Sequence, residues 1–428
     1  MSPKTPSTAL AEATTHLLVP KLRFPEFQNA SEWKAIPLGR LATRCKQKNR
    51  KEEIDRVLTN SAEFGVLDQR DFFDKDIATQ GKLEGYVVVE LGDYVYNPRI
   101  SASAPVGPIS KNTIGTGVMS PLYTVFQFKD SNNDFYQHYF KTTGWHAYLR
   151  QASSMGARHD RMAISSDGFM AMPLPVSSPE EQQKIADCLS SLDELIAAQA
   201  RKVDALKTHK KGLMQQLFPT EGETQPRLRF PEFRDAAAWE PKAIGQLGEI
   251  VTGSTPSTAK SEYYGGDRHF VSPADISDNR FIEKTKTTLT ELGFLETRPI
   301  KANSILFVCI GSTIGKIAQN KQECATNQQV NVVVPSSENS DGFVYYAISG
   351  VADKIANIAG RQAVPIVNKS LFSSVKLSVP KLPEQKYIAK ILSSLDETMS
   401  SETLQLEVLK THKKGLMQQL FPTGQDAA

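Results

Sequence analysis

The sequence of 428 residues lacks the cysteine patterns and apolar runs that mark several protein classes. Its four cysteines, Cys45, Cys188, Cys309 and Cys324, form no Cys-x-x-Cys spacing, which argues against a zinc site or disulfide framework and favours free thiols in the cytoplasm. No apolar run approaches membrane-spanning length, so we expect no membrane partner. Residues 1–19 lack a basic segment followed by an apolar one, which predicts a flexible tail rather than a signal peptide.

Catalytic signatures are also missing. The Asp-Pro-Pro-Tyr and Asn-Pro-Pro-Tyr motifs of amino-methyltransferases do not occur. Residues 311–316 resemble a phosphate-binding loop, but the loop is one residue short and Ile317 follows it where Ser or Thr is needed. Glu384-Gln-Lys386 imitates a nuclease Glu-x-Lys, yet it stands opposite Glu181 in a repeated segment, so we assign it a structural role. We therefore predict no catalytic residue, no metal site and no cofactor bound by this chain. The formal net charge of +3 neither demands nor excludes nucleic acid.

The chain does contain an internal duplication. Three segments occur twice, and each copy lies 203 or 206 residues after the first: 189–194 and 392–397, 206–220 and 409–423, 22–27 and 228–233. Residues 206–220 and 409–423 are identical throughout, whereas the long stretches between the repeats barely resemble each other. A repeat of this size indicates a duplicated domain, in which the constant parts form a frame and the divergent parts carry what differs.

The repeated segments predict two long helices. No proline interrupts residues 181–218, and Ser178-Pro179-Glu180-Glu181 supplies a cap, a first-turn proline and early acidic side chains. Apolar residues recur at alternating spacings of four and three, the heptad seam of a coiled coil. The first seam comprises Ile185, Leu189, Leu192, Ile196, Val203, Leu206, Leu213 and Leu217. The second seam comprises Ile388, Leu392, Leu395, Met399, Leu406, Leu409, Leu416 and Leu420.

Each helix could instead pack along its own domain, because such a helix shows a similar apolar face. The polar seam positions Gln199 and Lys210 are matched at Glu402 and Lys413, which favours pairing of the two helices with each other. The second helix ends in a sequence whose continuation stands near the N terminus. A frame of this circular kind requires antiparallel helices and a pseudo-twofold axis.

In both stretches outside the helices, short β-like runs alternate with loops rich in Gly, Ser, Thr, Asn and Pro. We therefore predict an α+β fold with two globular domains separated by two long helices in an antiparallel coiled coil. The predicted boundaries are 1–19 for the tail, 20–178 for the first domain, 179–218 for the first helix, 219–238 for a linker, 239–381 for the second domain, 382–421 for the second helix and 422–428 for the C-terminal tail.

The order of several phrases within this frame resembles the specificity subunits of type I restriction-modification systems. The helices open with Pro-Glu-Glu-Gln-Gln-Lys-Ile-Ala at 179–186 and Pro-Glu-Gln-Lys-Tyr-Ile-Ala at 383–389. Family-like phrases of the second domain occupy 253–256, 262–266, 309–316, 325–329 and 360–362. The first domain looks like another target-recognition type, with phrases at 65–70, 94–98 and 115–121. It lacks the Gly-Ser-Thr-Pro and Thr-Asn-Gln-Gln phrases of the second, so site assignments do not transfer between them.

The resemblance, which covers about residues 20–423, implies a noncatalytic DNA reader. Each target-recognition domain would read one half of a bipartite, asymmetric site in double-stranded DNA, and the coiled coil would set the gap. Two methyltransferase subunits carrying S-adenosylmethionine would dock on the frame, and restriction subunits would complete the complex. A stand-alone DNA-binding regulator is the alternative. An enzyme with its own methyl-transfer or nuclease chemistry is disfavoured by the absent motifs.

Candidate DNA contacts are polar residues in the divergent stretches. Arg158 and Arg361 lie at the 203-residue offset, each with a glycine within two positions. Arginine is a common bidentate reader of guanine, although a surface ion pair is the alternative. Lys46, Lys48 and Arg50 form a basic run that suits phosphate contact or a solvated face. The remaining candidates are Arg161, Ser254, Thr255, Tyr263, Tyr264, Asn327, Gln328 and Gln362. The phrase at 327–329 could equally brace the neighbouring strand.

Overall fold

The structure is a computed structural model that describes residues 17–72, 83–155, 160–220, 222–359 and 366–422. The chain divides into two compact units. The N-terminal unit comprises residues 1–198 and 406–428, and the central unit comprises residues 199–405. Within the described ranges, no helix is both long enough and apolar enough to cross a membrane.

The described part of the N-terminal unit begins with thirteen strands and five short helices. The strands are β1 Leu17–Leu18, β2 Trp33–Pro37, β3 Ala42–Arg44, β4 Leu58–Ser61, β5 Gly65–Asp68, β6 Val87–Val89, β7 Tyr94–Tyr96, β8 Ile109–Lys111, β9 Gly117–Met119, β10 Thr124–Phe128, β11 Ser154–Met155, β12 Met162–Ala163 and β13 Pro173–Val176. The helices are α1 Leu38–Leu41, α2 Gln69–Phe72, α3 Asp134–Tyr139, α4 His146–Ala152 and α5 Ser166–Met170, followed by the long α6 Pro179–Leu217.

Aromatic side chains fill the core of the N-terminal unit. Its sheets have the strand orders β1-β2-β13 and β3-β10-β7-β8, with three further strand pairs, β4-β5, β6-β9 and β11-β12. Strand β10 places Phe126 and Phe128 inward, where Tyr94 stacks on Phe126 with ring centroids 5.6 Å apart. Phe421, from the far end of the chain, packs against Phe135 at 5.1 Å. This unit therefore needs residues from both ends of the sequence.

The described part of the central unit contains ten strands and four shorter helices. The strands are β14 Glu240–Ala243, β15 Gly248–Thr252, β16 Tyr264–Val271, β17 Phe281–Ile282, β18 Thr287–Leu289, β19 Ile305–Val308, β20 Ile317–Asn320, β21 Cys324–Thr326, β22 Val330–Pro335 and β23 Lys376–Val379. The helices are α7 Ile244–Leu247, α8 Glu291–Leu295, α9 Asp341–Ala359 and α10 Lys369–Ser374, followed by the long α11 Leu382–Leu420.

A five-stranded sheet of order β15-β22-β19-β20-β17 organises the central unit, beside the smaller sheets β18-β16-β21 and β14-β23. Both faces of β19 are covered, which explains its uninterrupted apolar sequence. Ile305 and Phe307 join the cluster that contains the residues of α9, whereas Leu306 and Val308 join the cluster on the opposite face. Because successive side chains of a strand point to opposite faces, the residues of β19 alternate between two cores.

The long helices α6 and α11 pair in antiparallel fashion, as the sequence predicts. In the central unit, Gln199 contacts Glu402 and Lys210 contacts Asp396, so the partner number falls as the α6 number rises. Every apolar seam position named above is buried or half-buried. Each helix has 39 residues and ends one residue before its predicted boundary. Each unit includes part of both helices, whereas the sequence-predicted boundaries assign the helices to neither domain.

Candidate nucleic-acid interface

Two polar segments of the central unit meet beside strands β15 and β22. The backbone N–H of Ser254 donates to the carbonyl of Thr326 at 2.9 Å. The hydroxyl of Thr255 donates to Oε1 of Gln328 at 2.6 Å, and both residues are exposed. The structure therefore brings together four sequence-predicted residues from phrases about 70 positions apart, since Asn327 lies between Thr326 and Gln328.

The glycine that opens the first segment is required by this close approach. A Cβ atom at Gly253 would lie 2.2 Å from the carbonyl oxygen of Asn327 and 2.2 Å from Oγ1 of Thr326. Oγ of Ser254 and Oγ1 of Thr326 are both buried, and neither has a hydrogen-bond partner in the described structure. The two segments therefore each hold a hydroxyl group, on Ser254 and on Thr326, that could still donate and accept hydrogen bonds.

Asn327 has a local role in holding the turn. Its side-chain Oδ1 accepts the backbone N–H of Gln329 at 3.1 Å, and its Nδ2 donates to Oε1 of Gln329 at 3.0 Å. The alternative that this phrase braces the adjoining strand therefore describes Asn327, while Gln328 keeps an exposed amide.

The N–H of Cys309 donates to the carbonyl of Gln329 at 2.8 Å, and burial raises the pKa of the Cys309 thiol to about 11. Cys309 is therefore a protonated packing residue.

The two neighbouring tyrosines differ in exposure. Tyr263 is only 8% exposed, and its hydroxyl accepts a hydrogen bond from Nζ of Lys260 at 2.7 Å. This hydrogen bond raises the pKa of Lys260 above its usual value. Tyr264 is half-buried and donates its hydroxyl to the carbonyl of Pro256 at 2.8 Å. Tyr264 thus supports the loop at 253–256, whereas Tyr263 contacts Lys260.

Arg298 is a cation beside this loop that the sequence analysis does not single out. It is exposed, and its Nη1 donates to the carbonyl of Thr252 at 2.7 Å, one residue before Gly253. That single backbone bond orients the guanidinium and leaves most of its five donors available. No sequence motif marks Arg298, because its position depends on how strand β15 packs beside the segment after α8.

The basic run of the N-terminal unit is exposed on a fixed backbone. Lys46, Lys48 and Arg50 all face solvent, and none forms an ion pair with another described residue. Between them Asn49 is buried, and its Nδ2 donates to the carbonyl of Ile54 at 2.7 Å. The backbone at Lys48 pairs with that of Val87. The buried side chain of Asn49 and the pairing of Lys48 with Val87 therefore fix the backbone that carries these three cations.

Arg161 faces a second arginine. An isolated antiparallel bridge places Arg161 directly opposite Arg99, a residue that the sequence analysis does not name. Like charges directly opposite each other on paired strands are destabilising. Arg161 also approaches Oδ2 of Asp160 at 3.7 Å, a contact in which both side chains are 38% exposed and which offsets little of this cost. An anion placed between the two guanidinium groups would relieve the repulsion.

Three further candidates, Arg158, Arg361 and Gln362, lie outside the described residues, and their assignment stays a prediction. Two residues that follow the range 360–365 contact the segment after β19. Ile366 pairs with Ile310, and the N–H of Val367 donates to the carbonyl of Cys309 at 2.9 Å.

An identical joint attaches each set of loops to the long helix of its unit. In the N-terminal unit, Arg23 donates two hydrogen bonds to Glu181 and the indole N–H of Trp33 donates a third at 2.9 Å. In the central unit, Arg229 makes the same two bonds to Glu384, and the indole N–H of Trp239 donates to the other carboxylate oxygen at 3.2 Å. Glu181 and Glu384 are 1% and 3% exposed. The structural role that the sequence analysis assigns to Glu384 is therefore confirmed.

Comparison with known proteins identifies what this arrangement is similar to. Residues 237–411 match the family described as type I restriction modification DNA specificity domain. The HindI specificity subunit of Haemophilus influenzae is 32% identical over 170 residues, which cover 38% of this chain and 37% of that protein. The EcoR124I/EcoR124II specificity subunit of Escherichia coli is 28% identical over 260 residues, which cover 57% and 60%. The chain thus spans between about a third and two thirds of these curated relatives.

Two solved structures share the fold. The type I restriction-modification S subunit from M. genitalium superposes with a TM-score of 0.59 at 15% identity, covering 95% of this chain and 99% of that one. A chain from a structure on complex assembly and conformational transition of the type I R-M system gives 0.54 at 14% identity, covering 92% and 98%. At this identity the superpositions establish the architecture and no residue roles.

Proposed function

The chain belongs to the family of type I restriction-modification specificity subunits, and from this premise we propose that it is the DNA-reading subunit of such a complex. Each unit carries one reader, and each reader recognises one half of a bipartite, asymmetric site in double-stranded DNA. The paired helices set the gap between the halves. The chain itself is noncatalytic and binds no cofactor.

The observation that carries this proposal is the joint that occurs twice. The Arg23–Glu181 and Arg229–Glu384 pairs use the same atoms, and a tryptophan indole donates to the glutamate in each, although the loops that they support differ. A duplicated support that holds two unlike polar surfaces is suited to reading two unlike sequences. An enzyme would instead need one set of reacting groups brought to one place.

The readers offer both kinds of DNA contact. In the central unit, Gln328 and Thr255 present an amide and a hydroxyl of the types that bind base edges, and Arg298 offers a guanidinium beside them. In the N-terminal unit, the opposed pair of Arg99 and Arg161 and the run from Lys46 to Arg50 suit phosphate oxygens. The buried hydroxyls of Ser254 and Thr326 would gain partners from a polar ligand.

The exposed part of the identical repeat supports two equal docking surfaces for partners. Packing between the helices requires only the seam residues to match, yet the exposed residues are also the same in both copies. These are Lys207, Thr208, His209 and Lys211 in the central unit and Lys410, Thr411, His412 and Lys414 in the N-terminal unit. Two methyltransferase subunits, each bringing S-adenosylmethionine, would dock there, and restriction subunits would complete the complex.

The test is to express the chain with the methyltransferase encoded beside it and to map adenine methylation in genomic DNA by single-molecule sequencing. A split motif with a fixed gap is expected. Gln328→Ala and Arg298→Ala should each reduce methylation or relax the motif in one half only, because each removes contacts to one half-site. Arg234→Ala, at an exposed arginine of the linker, is the matched control and should leave the motif unchanged.

Three other outcomes would overturn the proposal. If the chain binds a specific sequence while alone and no methylation accompanies the complex, it is a stand-alone regulator. If the purified chain binds S-adenosylmethionine by calorimetry, it has chemistry of its own. A stable complex that methylates a continuous motif would contradict the two-reader arrangement.

A further inference from the structure

Each long helix directs a serine and an aspartate of its repeated Leu-Ser-Ser-Leu-Asp-Glu segment toward the globular part of its unit. The pair is Ser190 and Asp193 on α6 and Ser393 and Asp396 on α11. A lysine of the other long helix completes each set by an ion pair to the aspartate. We call the two sets, Ser190–Asp193–Lys413 and Ser393–Asp396–Lys210, the N-terminal and central sockets.

A histidine of α3 fills the N-terminal socket. His138 is 1% exposed, and its Nε2 lies 3.1 Å from Oγ of Ser190. Its Nδ1 has no hydrogen-bond partner in the described structure and lies 3.9 Å from Oδ2 of Asp193, whereas Nζ of Lys141 lies 3.7 Å from the same oxygen. The reader of this unit therefore touches both acceptor residues of the socket.

The central socket is filled by different residues. Tyr346 of α9 is fully buried and donates its hydroxyl to Oδ2 of Asp396 at 2.7 Å. Nη1 of Arg280 donates to Oγ of Ser393 at 2.5 Å and to the Tyr346 hydroxyl at 3.0 Å. The guanidinium of Arg280 also lies over the Tyr346 ring, 4.9 Å from its centroid.

Arg280 continues this connection into the sheet of the reader. Its Nε donates to Oε1 of Gln319, a fully buried residue of β20, at 2.9 Å. A sequence of polar contacts therefore runs from the five-stranded sheet through Arg280 and Tyr346 to Asp396 and Lys210 of the helix pair. Apolar packing alone would hold the sheet on the helices, but it would fix the orientation less strictly, because hydrogen bonds are directional.

The two readers, which differ in sequence, thus each place buried polar groups on the corresponding socket of their own unit. Burying such groups costs free energy unless they are paired, so the duplicated pairing points to a requirement beyond attachment. We infer that the sockets are positioning sites that fix the angle at which each reader is held on the helix pair of its unit. This inference rests on the proposed function. A tilt that displaces a reader by about 3.4 Å, the rise of one base pair, would change the preferred gap by one.

The experiment measures gap selectivity in the complex of the full chain with its methyltransferase. The substrates are duplexes that contain both half-sites unchanged and a gap shortened or lengthened by one or two base pairs. Arg280→Leu keeps much of the side-chain volume and removes every polar contact of the guanidinium. The central socket is chosen because Asp396 is 17% exposed, against 41% for Asp193, so its contacts are less accessible to water.

We expect Arg280→Leu to lower the preference for the correct gap over its neighbours by about tenfold, the effect of one lost charge-assisted hydrogen bond. Ser393→Ala should act in the same direction, and because it removes only a hydroxyl it carries the test if Arg280→Leu does not assemble. Arg268→Leu is the matched control, since this arginine also lies over an aromatic ring and pairs with carboxylates in the same unit. It should leave gap selectivity unchanged.

The outcomes separate the inference from the proposed function. If the variants methylate more slowly but retain the wild-type gap, the socket only holds the fold together and the inference is wrong. If Arg268→Leu relaxes the gap as much as Arg280→Leu, the effect is not specific to the socket and the inference is also wrong. If the wild-type complex shows no split motif, the proposed function fails, and the inference fails with it.

Discussion

Arg23 and Glu181, 158 residues apart in the sequence, form a two-pronged ion pair with N–O distances of 2.8 and 2.7 Å. The arginine side chain is 9% exposed and the glutamate 1%. The carboxylate raises the pKa of Arg23 above its usual value, because the hydrogen bonds to Glu181 outweigh the cost of burial. The pair closes the first turn of α6 onto the segment that precedes β2.

Breaking this pair from one side should be costly. Arg23→Met leaves the buried carboxylate of Glu181 without its cation, and we expect the free energy of unfolding to fall by about 3 kcal/mol. The double variant Arg23→Met, Glu181→Leu should recover most of that loss, because neither charge remains. Urea titration of the three proteins measures this. Lys184→Met, which removes an exposed pair with Glu26 at 3.3 Å, is the control and should cost about 0.5 kcal/mol or less.

The stability of the N-terminal unit should fall in mild acid because of His138. Burial, together with the nearby cations Lys141 and Lys413, lowers the pKa of His138 to about 4 against the opposing effect of Asp193 and Asp134. Between pH 6.5 and pH 4 the unfolded chain therefore binds a proton that the folded chain does not. Above pH 6.5, His138 does not change the free energy of unfolding. As the pH falls from 6.5 to 4, this free energy decreases by up to about 3 kcal/mol.

The variant His138→Gln tests this titration. It keeps a group able to bind Ser190 and removes the proton, so its stability should be less dependent on pH between 6.5 and 4. Burial also lowers the pKa of His146, which contributes in the same direction and is present in both proteins. The difference between the two profiles therefore isolates His138. Coincident profiles would show that His138 is not the responsible group.

Charge reversal in one copy of the identical repeat should remove one partner. Lys207→Glu with His209→Glu alters only the central unit, and Lys410→Glu with His412→Glu alters only the N-terminal unit. We expect native mass spectrometry to show one methyltransferase per chain for either variant, against two for the wild type. Lys390→Glu is the control, since the position related to it by the repeat is Asp187 and the site is not duplicated. Two bound partners in both variants would exclude these surfaces.

Lengthening the helix pair should widen the gap that is read. One extra heptad in each helix, inserted at the level of Gln199 and Glu402, adds about 10 Å to the pair. The two half-sites should then be read about three base pairs further apart and otherwise unchanged. Methylation mapping of the complex measures both quantities. Insertion into one helix alone is the control, because it breaks the Gln199–Glu402 contact of 2.7 Å and should reduce stability instead.

The opposed arginines should contact the DNA backbone. Replacing Arg161 by Gln is expected to weaken DNA binding to all sequences alike and to reduce the slope of log K against log salt concentration by about 1. Arg99→Gln should do the same. Fluorescence titrations at several salt concentrations give the slope, with Arg234→Gln as the control. A loss confined to one sequence would instead identify a base contact.

The sequence predicts the frame well because the frame is periodic and duplicated. The bounds of α6 and α11 follow from Pro179, from the seam spacing and from the repeat. The antiparallel direction follows from the circular frame, in which the continuation of the second helix stands near the N terminus, and the match of Gln199 with Glu402 indicates that the two helices pair. These signals lie along the sequence itself, so they can be recognised without knowledge of the tertiary fold.

The reader surfaces are only partly predictable. The meeting of Thr255 with Gln328 depends on the pairing of β15 with β22, and no spacing rule specifies it. Arg99 and Arg298 carry no motif, because their significance arises from a cross-strand neighbour and from one backbone carbonyl. The sequence analysis places Tyr263 among the DNA contacts, yet this residue is only 8% exposed and α8 approaches its backbone closely at Gly293.

The burial of Phe421 has a consequence for the order in which the protein is made. This side chain is 2% exposed among Phe135, Tyr139 and their neighbours, and the N–H of Leu22 donates to the carbonyl of Gln419 at 3.0 Å. During synthesis, the first unit to leave the ribosome cannot complete its core until nearly the whole chain has followed. The central unit, which is contiguous in sequence, can close first. If synthesis stops before residue 406, the chain lacks the C-terminal residues that complete the N-terminal unit. The residues made first would then be the ones left unfolded.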